Sequence, residues 1–205
     1  TDQYSYDVAG NVEEGLTRVD SKGNAALALA KSIDVSKDGL TYTVTLRDNL
    51  KWSNGDKLTA KDFVYSWKRA VDPKTGSEYA YLMGAVSGAN DIISGKSSLD
   101  SLGIKAESDT EFTVTLAQPT PYFKFLLSEP VYYPLDQKVV DKYGKQYGTS
   151  SDKTVYNGPF MFKSDKGWTG TNKTFSIYAN PNYYDKSAVK SKQIDFQVIS
   201  NANTG

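Results

Sequence analysis

A chain of 205 residues with 24 basic and 24 acidic side chains carries no net charge, which excludes the basic footprint of a nucleic-acid or anionic-membrane binder; 39% hydrophobic and 13% aromatic content is that of a globular protein. Cysteine and histidine are both absent, which removes disulfides, thiolate metal sites, Ser-His-Asp and Cys-His catalysis and the usual zinc, nickel or haem ligands. Carboxylates, lysine and tyrosine remain as candidate acid, base or nucleophilic groups, no apolar run reaches the length of a membrane span, and the tyrosine-rich aromatic set suits half-wet surfaces.

Tyr4, Val8, Val12 and Leu16 recur four apart and predict a first helix over 4–16 despite Gly10. Residues 16–20 alternate and run into a Ser-Lys-Gly-Asn turn, and 34–48 predicts two strands around Lys37-Asp38-Gly39, with Tyr42, Val44 and Leu46 facing one way and three threonines and Arg47 the other. After the Ser53-Asn54-Gly55 turn, Thr59 is a natural N-cap with Asp62 at capping-box spacing. The helix it opens runs to about Val71, with Phe63, Val64, Trp67, Ala70 and Val71 on one face, and Asp72-Pro73 closes it. Two helical pieces follow over 79–94, then two short strands over 101–119. A short helix begun by Pro121 comes next, another over 134–144 ends at Gly144, and a polar loop leads to three strands between 157 and 200. Strands and helices without regular βαβ alternation place the chain in the α+β class.

The stretches NVEEGLTRVDSKGN (11–24), DGLTYTVTLRDNLKWSNGDKLTAKDFVYSWKRAVDPKTGSEYAYL (38–82), SLGIKAESDTEFTVTLAQPTPYF (101–123), YNGPFMFKS (156–164) and NPNYYD (180–185) stand in an order that resembles the extracytoplasmic solute-binding proteins of ABC importers, in the large oligopeptide-binding class, family 5. The resemblance implies a periplasmic-binding-protein-like fold of class II, with mixed sheets and packed helices, incomplete relative to the family: an amino-terminal fragment lacking the third lobe. Residues 1–14 and 150–205 would form part of a discontinuous first domain and 15–149 the second domain. It implies capture of an extended oligopeptide by strand-like main-chain hydrogen bonds, with lobe closure presenting the complex to the permease transmembrane subunits. A monomer is implied, without cofactor, metal or nucleic acid and without enzymatic activity. It would be held outside a Gram-positive cytoplasmic membrane by a lipid on a residue upstream of Thr1, or lie in a periplasm. Another solute, such as a signalling peptide or an oligosaccharide, and a stand-alone surface interaction module are the alternatives, with a carboxylate-based hydrolase as a third.

By the same resemblance, Thr1, Asp2 and Gln3 precede the first helix where the main chain runs beside bound peptide, against the plainer reading of a frayed terminus. Tyr79 matches a tyrosine facing the ligand cleft, against a tyrosine packed at a helix start, and Tyr81 is its neighbour candidate. Trp67, on the apolar stripe, is read as core, and Trp52 as a lid over that core. In Tyr156-Asn157-Gly158-Pro159-Phe160, Gly158 is expected to supply an unusual backbone angle. Tyr183, Tyr184 and Trp168 are read as packing over the last sheet. Glu13 with Glu14, or Asp100 with Asp109, are the carboxylate pairs a hydrolase would need, and nothing in their spacing sets them across a cleft.

Overall fold

The computed structural model describes residues 3–163, 167–169 and 171–198, with side chains from residue 8 onward. Helix α1 (Gln3–Val12) is followed by β1 (Thr17–Val19), β2 (Ala25–Leu27), β3 (Ala30–Val35), β4 (Thr41–Leu46) and α2 (Ala60–Val71). Next come α3 (Ala89–Ile93), β5 (Ile104–Ala106), β6 (Glu111–Thr115), α4 (Phe123–Leu126), α5 (Gln137–Tyr143), β7 (Phe160–Met161), β8 (Thr174–Ala179) and β9 (Gln193–Gln197), with short 3-10 turns between them. The chain forms two compact units: Thr1–Glu13 with Lys51–Lys57 and Asp136–Gly205, and Glu14–Leu50 with Leu58–Leu135.

The second unit is built on an antiparallel sheet of order β3-β4-β6-β5. Alternation fixes its register: Tyr42 lies opposite Val114 and Val44 opposite Phe112, and all four are buried on one face, as the period-two pattern requires. Helix α2 covers that face with its 3.6-period stripe. Phe63 stacks on Phe112 at 5.3 Å between ring centroids, and Trp67 meets the same ring edge-on at 6.1 Å. The helix starts as the sequence predicts, the Thr59 N–H donating to the Asp62 carboxylate at 2.7 Å and the Asp62 N–H to the Thr59 carbonyl at 3.1 Å. It stops at Asp72, whose extended backbone is the conformation that Pro73 demands of the residue before it.

Two local expectations fail for reasons outside any periodic pattern. Helix α1 ends at Val12, and Leu16 is not on its stripe. Leu16 is fully buried in the second unit, its carbonyl accepting the Ala28 and Ala30 N–H groups at 2.9 and 3.2 Å. Gly15 beside it is packed so closely that an added Cβ would lie 2.6 Å from the Tyr133 ring and 2.7 Å from the Leu127 carbonyl oxygen. Helix α4 begins at Phe123 rather than Pro121, because the Phe123 N–H closes a turn onto the Thr120 carbonyl at 2.9 Å.

In the first unit, α1 lays Val8 and Val12 on the antiparallel sheet β7-β8-β9, in one cluster with Tyr156, Phe160, Phe162 and Ile177. A file of rings extends it, from Tyr156 through Phe162 and Phe175 to Phe196, with successive centroids 5.7, 5.7 and 5.0 Å apart. Gly158 does not adopt a positive φ, contrary to the expectation for it. Space is what requires glycine there: a Cβ would lie 2.6 Å from the Val12 carbonyl carbon and 2.7 Å from the Glu13 nitrogen. The Gly158 N–H donates to the Val12 carbonyl (2.9 Å), while its own carbonyl accepts from Asn180 Nδ2 (2.9 Å). Trp52 is buried; its N–H bonds the Asp56 carbonyl (2.9 Å), and its carbonyl accepts from Asn182 Nδ2 (3.3 Å), all within the first unit. Tyr183 is buried, whereas Trp168 is partly exposed.

Two predictions follow from these cores. Truncating Phe112 to alanine removes the ring that both Phe63 and Trp67 pack on and should cost about 3–5 kcal/mol in denaturant unfolding of the second unit. The half-exposed Phe125 should tolerate the same change with little loss. Burial pushes the Glu13 carboxyl from 4.5 up to about 7. Because its proton is held more tightly in the folded than the unfolded chain, its contribution is complete below about 4.5 and is lost as pH rises towards 7. Glu13→Gln should flatten that loss and raise stability at higher pH by on the order of 1–3 kcal/mol, read from melts across the interval.

Candidate functional site

Of the positions expected to meet ligand, Tyr79 and Tyr81 stand in the second unit, where Tyr79 caps and Tyr81 lies within the second of two successive 3-10 turns. The first turn, 73–75, is started by the Asp72 carboxylate accepting the Lys74 N–H at 2.9 Å and is ended by Gly76, whose φ of 65° lets the chain reverse. The Ala80 N–H then bonds the Ser77 carbonyl (3.2 Å) and the Leu82 N–H bonds the Tyr79 carbonyl (3.0 Å), tightening Ala80–Ala85 into a 3-10 helix. With three residues per turn, positions 79 and 82 share a side and 81 is turned from it. Tyr79 is half-buried accordingly, and Tyr81 is 67% exposed.

What fixes this segment is a residue that the sequence reading passed over. Tyr132, fully buried, donates its hydroxyl to the Leu82 carbonyl at 2.7 Å, and its own carbonyl accepts from Trp67 Nε1 at 2.8 Å. Trp67 and Phe123 both meet the Tyr132 ring edge-on, at 5.0 and 5.9 Å. Burial, with Tyr122 adding to it, pushes the phenol well above its ordinary range, so it remains a protonated donor at any ordinary pH. The chain of contacts from α2 through Tyr132 to Leu82 thus holds the Tyr79 turn on the aromatic core. Tyr132 sits in a 3-10 turn with no periodicity to expose it; the signal available was the pair of prolines, Pro130 and Pro134, bracketing two tyrosines.

Thr1 and Asp2 lie outside the described residues, and Gln3 opens α1 in the first unit. Of the four carboxylates named for a hydrolase, Glu14 pairs with Arg18 (3.3 Å), Asp100 with Lys68 (2.7 Å) and Asp109 with Lys61 (3.5 Å), while Glu13 is the one whose carboxyl pKa is raised by burial. Among the described residues no group of three or more carboxylates is placed to hold a metal ion, and no helix is long and apolar enough to cross a membrane.

Residues 24–205 match the profile of the bacterial extracellular solute-binding proteins, family 5 Middle. The chain is 98% identical over all 205 residues to a dipeptide-binding protein of Lactococcus lactis subsp. cremoris (strain MG1363), and it spans 37% of that protein. All of it superposes on Listeria monocytogenes OppA bound to peptide with a TM-score of 0.95 at 44% identity, and on the pheromone receptor PrgZ with 0.94 at 42%; it covers 40% of each of those chains. Fold and sequence agree over the whole length compared, and the chain belongs to the bacterial extracellular solute-binding proteins of family 5.

Proposed function

We propose that this chain is part of the substrate-binding component of a peptide ABC transporter, which captures extended oligopeptides outside the membrane and delivers them to the permease. The observation that carries the proposal is the match of the entire chain, at 44% identity, to a protein solved with peptide bound. The dipeptide-binding relative supports the same ligand class. In this reading 1–14 and 150–205 contribute to a discontinuous first domain and 15–149 form the second. The protein is a monomer without catalytic activity, anchored by an upstream lipid at the outer face of a Gram-positive membrane.

Recognition rests on main-chain hydrogen bonding from the segment Thr1, Asp2 and Gln3, with Tyr79 as the side-chain contact and Tyr81 beside it. Binding through the peptide backbone makes affinity largely independent of ligand sequence, while pockets for alternate side chains set what preference there is. A signalling peptide is the second reading, favoured by the likeness to a pheromone receptor.

Calorimetric titration of the full-length protein with mixed tri- to octapeptides tests the assignment. Binding is expected, and silence with peptides beside a signal with oligosaccharides would overturn it. The 205-residue chain alone should bind peptide weakly or not at all, since association carries ordering costs that a partial enclosure does not offset. Tyr79→Ala in the full-length protein should weaken peptide affinity by about tenfold, the loss of one ordinary interfacial contact. Tyr132→Phe strips the Leu82 carbonyl of its donor and should lower unfolding free energy by about 1–3 kcal/mol.

A further inference from the structure

The sequence contains two Asn-Gly dipeptides, Asn54-Gly55 and Asn157-Gly158, in opposite environments. Asn-Gly is the pair in which the following backbone nitrogen has least hindrance in reaching the asparagine side chain, because glycine has no Cβ. We propose that Asn54 is a site of spontaneous covalent ageing, converting through a cyclic imide to aspartyl and isoaspartyl forms, while Asn157 is protected.

The Asn54 turn is exposed and already folded for the reaction. Asn54 Oδ1 accepts the Asp56 N–H at 3.0 Å, so the carboxamide is bent forward over the intervening Gly55 peptide. Its Nδ2, the nitrogen to be expelled, donates to the Asp56 carboxylate at 3.2 Å. Gly55 has a φ of 94° and nothing within 4 Å of where a Cβ would stand, so the ring can form without collision. In the reaction the Gly55 nitrogen attacks Asn54 Cγ, a C–N bond closes the five-membered imide, and Nδ2 leaves as ammonia with the proton that the Gly55 nitrogen gives up. Water then opens the imide at either carbonyl, so no oxidant or enzyme is required. The Gly55 N–H must first release the Trp52 carbonyl, which it holds at 2.9 Å, and opening one bond of an exposed turn costs little.

Asn157 is 3% exposed, the Gly158 N–H is bonded to Val12 at 2.9 Å, and Gly158 is wedged against the Val12 and Glu13 backbone. Imide formation there requires the first unit to open. The isoaspartyl product at 54 inserts a methylene into the main chain of a turn that is anchored on both sides. The Ser53 N–H donates to the Tyr156 carbonyl (2.7 Å), Ser53 Oγ accepts the Tyr156 N–H (3.0 Å), and Asn182 Nδ2 donates to the Ser53 carbonyl (3.1 Å). Lengthening the turn therefore strains the hydrogen bonds at Tyr156 and Asn182.

The folded chain is incubated at mildly alkaline pH beside a synthetic peptide spanning 51–57, and isoaspartate is located by methyltransferase labelling and peptide mapping. Label should accumulate at position 54 within about tenfold of the free-peptide rate, and at least about tenfold faster than at 157, where opening must come first. Asn54→Ser should abolish that label and leave position 157 unchanged. Protection of position 54 by more than that factor relative to the peptide, or conversion at 157 as fast as at 54, would overturn the proposal.

Discussion

Tyr132 is the residue on which the second unit converges, because both ends of one buried side chain and its own carbonyl are committed. Its ring fills the space between Trp67 and Phe123, its hydroxyl satisfies the Leu82 carbonyl, and its carbonyl satisfies the Trp67 indole. A buried phenol or indole without a partner is costly, so each of these groups needs the others in place. The consequence is positional. Helix α2, the turn holding Tyr132 and the 3-10 helix after Tyr79 cannot shift independently, and a flexible-looking loop is held to the tolerance of a core.

The sheet and helix of the second unit were legible in sequence because each has one wet face and one dry one. Thr41, Thr43 and Thr45 against Tyr42, Val44 and Leu46 gave strand β4 its period of two, and Phe63, Trp67 and Val71 gave α2 its stripe. Thr59 and Asp62 marked the start of that helix through chemistry local to four residues. Leu16 and Gly158 were misread for the complementary reason. Their environments are supplied by distant segments: Leu16 by the N–H groups of Ala28 and Ala30, and Gly158 by the backbone of Val12 and Glu13. A spacing of four from Val12 to Leu16 says nothing about the turn that intervenes, and a glycine wanted for closeness looks in sequence like a glycine wanted for its backbone angle.

The candidate site was less legible than the fold, and the physics of its proposed ligand says why. Capture through main-chain hydrogen bonds needs backbone geometry rather than special side chains, so no histidine, cysteine or carboxylate cluster announces it. Tyr79 and the segment Thr1 to Gln3 were nominated by resemblance to relatives, whereas Tyr132, which sets where the Tyr79 turn stands, drew no attention at all. Residues that position a binding surface from within the core share their composition with residues that merely fill it.

The close approach of Gly158 to Val12 also bears on the order in which the molecule is made. Helix α1 packs against Phe160, Phe162 and Ile177, with Asn180 bracing Gly158, and all of these come far later in the sequence. The second unit draws its sheet and its aromatic core from residues 14–50 and 58–135 and has everything it needs long before that point. During synthesis α1 is therefore made before the strands it packs on and stays without that packing until they follow. Over that interval the apolar side of α1 is open to chaperones, export factors or proteases.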